Sequence, residues 1–185
     1  MATQPQTDLT YDDLASFPED NLRRELIGGE LIVTTAPLIR HQTVVTELVI
    51  QLGLYAKEHG GKVLPAPTDV FFSDLDVVEP DVLFVTQASL AKLETRFVRG
   101  APDLVVEVSS PTTRRLELVR KRDLYEHFRV PEYWYVDLDA DRIEVYRLVE
   151  GRYDAPVILG RAATLTSPGL PGFSISLTEV LGEPE

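Results

Sequence analysis

Cysteine is absent from all 185 residues. That removes a disulfide framework, a thiolate zinc site and a cysteine nucleophile, and it is compatible with a cytoplasmic protein. Long apolar runs are missing too. The longest have the length of a strand, so no membrane span is expected. The opening residues, MATQPQTDLTYDDL, have neither the basic region nor the apolar region of a secretory signal. Positive charge is scarce: 18 Lys and Arg stand against 30 Asp and Glu, a net charge of -12. Such a chain does not coat nucleic acid through bulk electrostatics, although a local basic groove remains open to it. There is no internal repeat and no low-complexity tract.

The composition that remains, 44% hydrophobic and 26% charged, is ordinary for a globular protein and can supply a sizeable core without staples. The length suits a single domain over residues 1–185, with residues 1–8, polar and without period, expected to be disordered. Charge is unevenly spread. Between Lys92 and Arg122 there are eight basic residues against four acids. Such a window suits either one polyanion-facing side or a solvated helix face.

Periodicity outlines the elements. Thr10 precedes a short helix, TYDDLASF, which Pro18 ends. LRRELIGGELIVTT reads as a hairpin, with Gly28 and Gly29 supplying the positive φ of its turn. A long helix is expected from Leu38 to His59, with His41, Val44, Val45, Leu48, Leu52 and Tyr55 on one face and Gly60-Gly61 as its stop. KVLPAP, TDVFF and DVLFV follow as extended segments, and SLAKLE as a short helix. DLVVEVSS is apolar on both faces, the mark of a central, covered strand. PTTRRLELVRKRDLYEHF reads as a second long helix, with Pro111 and Thr112 or Thr113 at its start. EYWYVDLD and RIEVYRLVEGRYD read as two strands about a turn at Ala140-Asp141. Short β signals interrupted by SPGLPG come next, and SLTEVL closes as a terminal turn. The order predicts a mixed α/β or α+β fold, a sheet sandwiched by helices.

Glu107 is the residue least at home in its surroundings. A bare carboxylate inside LVVEV costs several kcal/mol or more to bury, as an order of magnitude, unless something pairs with it. Asp81 begins another apolar strand, in EPDVLFV. Two carboxylates on a rigid sheet form a hard oxygen site of the kind Mg²⁺ or Mn²⁺ prefers. A structural ion pair with a distant basic residue explains the same pattern.

Pro80-Asp81, then Glu107 on a hydrophobic strand, then a basic helix together resemble the PD-(D/E)XK nuclease pattern. More narrowly, ELIGGELIV, His41 at the start of the next helix, EPDVLFV, PDLVVEVSSPTTRR, the spacing from Lys121 to Tyr125 and VPEYWYVD resemble the Uma-two family of restriction endonucleases. The resemblance runs from about Leu22 to Tyr153. It implies a restriction-endonuclease-like mixed β-sheet core flanked by helices, with residues 22–137 as catalytic core and 142–185 as a C-terminal β extension. It also implies that Asp81 and Glu107 ligate Mg²⁺ (or Mn²⁺), with the main-chain carbonyl of Val108 completing the protein's share. The general pattern places a lysine two residues after the acid. Ser109 stands there, and the resemblance moves that function to Lys121 on the following helix. Glu117, Lys121 and Tyr125 lie four apart and so share a helix face. By spacing alone, Glu117 and Lys121 suit an ordinary exposed pair equally well. Arg129-Val130 replaces the family's usual Gly-Val.

Supporting positions are His41, as a contact behind a ligand or to phosphate; Glu25, which matches a family acid and either joins the site or bonds the turn; and Glu47, at the edge of the first long helix's face beside Gln51. Ser109, Ser110 and Thr113 have no His and Asp placed to activate them, and are expected to cap the second helix. Tyr133, Trp134 and Tyr135 could stack bases, but alternation sets Trp134 opposite its neighbours and favours packing. Asp137 and Asp139 are expected to close a strand. The activity expected is Mg²⁺-dependent hydrolysis of DNA, by a homodimer paired through the strands after Asp137. Two other readings stay open: a silent module of the same fold, for binding or assembly, and a hydrolase of smaller phosphate esters.

Overall fold

The computed structural model describes residues 8–18, 20, 22–34, 38–109 and 116–182. The disorder expected of residues 1–7 lies outside them, as do Ser110 and the helix start at Pro111, Thr112 and Thr113. The side chain of Glu117 lies outside them too.

Helix α1 (Tyr11–Ala15) precedes the hairpin of β1 (Arg23–Ile27) and β2 (Glu30–Thr34). The Asp13 carboxylate accepts from both the N–H and the hydroxyl of Thr10, at 2.9 and 2.8 Å, which fixes where α1 begins. The hairpin turns on Gly28 and Gly29 at φ 59° and 75°, a conformation that side chains with a Cβ resist. Helix α2 (Ile39–His59) follows, then β3 (Lys62–Pro65), β4 (Val70–Ser73), β5 (Asp76–Val78) and β6 (Val82–Val85). A 3-10 helix over Gln87–Lys92 leads to β7 (Val98–Arg99) and β8 (Leu104–Val108). A π-helical stretch, Leu116–Lys121, runs into α3 (Arg122–His127). After it come β9 (Glu132–Asp137), β10 (Arg142–Val149), β11 (Arg152–Tyr153) and β12 (Val157–Gly160). The hairpin of β13 (Thr164–Ser167) and β14 (Leu170–Ser176) and the last helix, α4 (Leu177–Leu181), complete the described chain.

The larger sheet runs β11-β10-β9-β8-β6-β3, with β12 also on β10. It is mixed, because β8 and β9 are parallel while β6 is antiparallel to β8. A second sheet runs β2-β1-β5-β4-β7. Two cores flank the larger sheet. On one face Val106, Val108 and Trp134 pack with Val44, Leu48 and Leu52 of α2 and with Phe173 and Leu177 near the C-terminus. On the other, Val105, Tyr133 and Tyr135 pack with Val70 and Val78 of the second sheet and with Leu124 and Tyr125 of α3. This double cover is what the unbroken apolar run of β8 anticipated.

Several expectations need correction. The second long helix is not regular: its spacing from Leu116 to Lys121 is that of a π-helix, so a strict four-residue face does not describe it. RIEVYRLVEGRYD is two strands, broken where Glu150 and Gly151 take φ 51° and 86°. SPGLPG does not interrupt a strand throughout, since β14 begins at its Leu170. The Ser109 hydroxyl accepts from the Leu138 N–H at 2.9 Å, and the helix start it was expected to cap lies outside the described residues. The packing expected of Tyr133, Trp134 and Tyr135 is, by contrast, what the structure has: all three are fully buried, Trp134 on the face opposite the two tyrosines.

Leu52 of α2 has no exposed surface. Leu52→Ala is expected to cost about 2–5 kcal/mol in chemical denaturation, by lost transfer energy and a residual cavity. A loss under about 1 kcal/mol would place α2 outside the cooperative core.

Candidate active site

The register of the larger sheet sets the acids side by side. Val82 of β6 pairs with Val106 of β8. One step outward along that antiparallel ladder, Asp81 lies alongside Glu107. Alternation points Glu107 to the face of Val105, where the second sheet and α3 pack. The second sheet brings β1 there, and with it Arg23 and Glu25. Arg24, between them, turns the other way and pairs with Asp20 at 2.6 Å.

Three buried carboxylates result, each with its own partners. Asp81 accepts from the Val108 N–H at 2.8 Å and from Arg23 Nη1 at 2.7 Å, and its Oδ2 lies 3.1 Å from His41 Nε2. Glu107 Oε1 accepts from Lys121 Nζ at 2.8 Å and Tyr125 OH at 2.5 Å. Glu25 Oε1 lies 2.7 Å from Lys121 Nζ and accepts from the Glu79 N–H at 2.8 Å. Lys121 therefore bridges two acids from inside, at 1% exposure, and is not a surface pair. Arg23 reaches all three acids, but only the Asp81 contact is short; Glu25 and Glu107 lie 3.5 and 3.6 Å from its Nη2.

Burial and partners pull the carboxyls apart. Burial opposes ionisation of Asp81, but the His41 contact and the Arg23 charge outweigh it and hold this carboxyl well below its ordinary range. Glu25, also opposed by burial, is lowered by Lys121 and Arg23. At Glu107 burial prevails over Lys121, and adjacent Asp81 adds to it, so its carboxyl is raised. Burial also pushes the nearby Glu79 up to about 7. Acids driven in opposite directions within one cluster are characteristic of sites built for chemistry.

His41, Glu25, Lys121 and Tyr125 are thus brought together with Asp81 and Glu107. Glu47 is not in this cluster; its carboxylate accepts from Gln51 Nε2 at 2.7 Å, further along α2. At Val108 it is the amide that meets Asp81. Arg23 is the residue that sequence reasoning passed over. Its signal was the two-residue step to Glu25, which obliges both to share a face. Of the basic window, Arg114 and Arg115 lie outside the described residues, Lys121 is buried in the cluster, and four others have acidic partners. Lys92, Arg99, Arg120 and Arg122 pair with Asp103, Glu94, Glu30 and Asp123 respectively.

The donor set fits a hard divalent cation in one respect that can be checked: Glu107 Oε2 is buried without a hydrogen-bond partner among the described residues. Among those residues no group of three or more His or acidic side chains could by itself hold a metal. Two carboxylates, a main-chain oxygen and water form the open kind of site that Mg²⁺ accepts.

The structure thus presents a mixed sheet flanked by helices, with acids side by side on adjacent strands. The family described as "Uma2: Putative restriction endonuclease" matches residues 10–178, and the chain belongs to it. Its fold is similar to that of a solved structure from Anabaena variabilis ATCC 29413, described as a putative nuclease belonging to DUF820. The TM-score is 0.78 at 18% identity, over 94% of this chain and 97% of that one. No curated protein matches the chain.

Proposed function

We propose that the protein is a Mg²⁺-dependent endonuclease that hydrolyses DNA phosphodiester bonds, with residues 22–137 as its catalytic core. The observation that carries this reading is the meeting of Asp81, Glu107 and Lys121 in one buried cluster, with an oxygen of Glu107 left without a hydrogen bond among the described residues. Asp81 and Glu107 would hold the ion, with the Val108 carbonyl completing the protein's ligands. When bound, it would supply Lewis-acid polarisation of the phosphodiester and a nucleophile at neutral pH. The protein's own groups do the rest. His41 and the Val108 N–H orient Asp81. Tyr125 and Lys121 both donate to Glu107 Oε1, leaving Oε2 to face the ligand position. Lys121, an ammonium beside two acids, would assist the attack of water by offsetting the negative charge that develops on the phosphate. Cleavage of both strands calls for two such sites. The exposed Val157 and Ile158 of β12 make the C-terminal strands the candidate face for a homodimer. Cytoplasmic DNA is the substrate this reading implies. No helix among the described residues is long and apolar enough to cross a membrane.

One observation favours the silent-module reading: the Arg23 guanidinium already spans Asp81 and Glu107. Purified protein incubated with supercoiled and linear DNA, with Mg²⁺, Mn²⁺ or EDTA, separates the two. Metal-dependent nicking is expected. A protein that neither nicks DNA nor is stabilised thermally by Mn²⁺ would be the silent module.

A further inference from the structure

Two cations serve the three acids, and they are held very differently. Lys121 is almost wholly enclosed, with contacts of 2.7 and 2.8 Å to two carboxylates. Arg23 keeps 20% of its side chain exposed, has one short contact, and stands too far from Glu107 Oε2 for a hydrogen bond. Its Nε is buried without a hydrogen-bond partner among the described residues. The guanidinium therefore fills the gap between Asp81 and Glu107 without satisfying it. Among the Asp, Glu, Lys and Arg side chains that meet there, the three carboxylates of Asp81, Glu107 and Glu25 face the two cations Arg23 and Lys121, a formal excess of one negative charge. A divalent ion added beside Arg23 would leave the cluster with one positive charge. The same ion in exchange for Arg23 would leave it neutral.

We propose that Arg23 is a built-in competitor for the metal: its guanidinium lies between Asp81 and Glu107 and swings outward when a divalent cation enters. This rests on the metal-dependent reading above. Arg23 is the first residue of β1 and keeps contact with solvent, whereas Lys121, where the π-helical stretch meets α3, is 1% exposed. The exchange regulates occupancy, since every ion must displace an internal competitor, and its apparent affinity is lowered by the fraction of molecules with Arg23 in place. The displaced guanidinium remains at the mouth of the site, where a planar fork matches a phosphate.

The test measures Mn²⁺ binding by titration calorimetry, without DNA, in the wild type, Arg23→Met and Glu107→Gln. Arg23→Met is expected to bind Mn²⁺ about tenfold tighter or better, because the competitor is gone. In the wild type, phenylglyoxal modification at Arg23, read by peptide mass spectrometry, is expected to accelerate when Mn²⁺ is added. That second measurement decides the matter if Arg23→Met fails to fold. Should Arg23→Met bind no tighter, or Mn²⁺ protect Arg23, while Glu107→Gln still abolishes binding, the exchange is wrong and the metal site stands. If no form binds Mn²⁺, the metal-dependent reading falls, and the exchange with it.

Discussion

Glu107→Gln is expected to lower metal-dependent DNA cleavage by about a thousandfold or more, equivalent to about 4 kcal/mol of transition-state stabilisation. The amide keeps the size of the carboxylate but loses its charge, and Oε2 is the atom the described protein leaves without a hydrogen bond. Stability should move the other way or stay level. Glu107 is buried with its carboxyl raised by desolvation, so neutralising it removes a cost. Lys121 still has Glu25 at 2.7 Å. Asp81→Asn should match the loss of cleavage but not the tolerance, because Asp81 is held in its charged form by His41 and Arg23. Cleavage assays run beside thermal melts give both readings. Retention of more than a tenth of wild-type cleavage by Glu107→Gln would remove Glu107 from the ligand set.

Lys121→Met should be the most destabilising single change in the site. It leaves Glu25 and Glu107 buried with only the more distant Arg23 opposite them. Breaking one side of a buried pair costs about 3–5 kcal/mol, or roughly 6–20 °C in Tm for a chain of this size. Met fills the space of the Lys stem, so the loss is electrostatic rather than steric. Adding Glu25→Gln to Lys121→Met should restore part of the melting temperature, because one stranded charge disappears. A single variant that melts within a degree of wild type would mean that Lys121 is replaceable by solvent. Partial rescue of stability without rescue of cleavage would separate its two roles.

How far the sequence led can be followed residue by residue. Glu107 was legible because a charge inside LVVEV contradicts its own strand, and Asp81 because it opens a second apolar run. Helix α2 and the β1–β2 hairpin were legible because their periods and glycines are local signals. β5 and β7 were not, because strands of three and two residues carry no measurable alternation. The π-helical stretch escaped because one extra residue per turn leaves no compositional mark. Arg23 escaped for another reason. An arginine beside a second arginine reads as surface charge; the step to Glu25 ties Arg23 to that acid's face, and the pairing of β1 into the second sheet shows that this face turns inward.

The hydrogen bond from the Val108 amide to Asp81 carries a consequence for how the protein can drift over generations. The donor belongs to the peptide backbone, so nearly any side chain at 108 would supply it equally, and substitution there leaves the acid's anchor untouched. Proline alone could not stand at that position without severing it. The neighbouring strand would accept such variation as long as the replacement suits the apolar layer that Val108 fills. The tether of the metal-site acid is thus inherited through the shape of the strand, and a column of aligned letters would not disclose it.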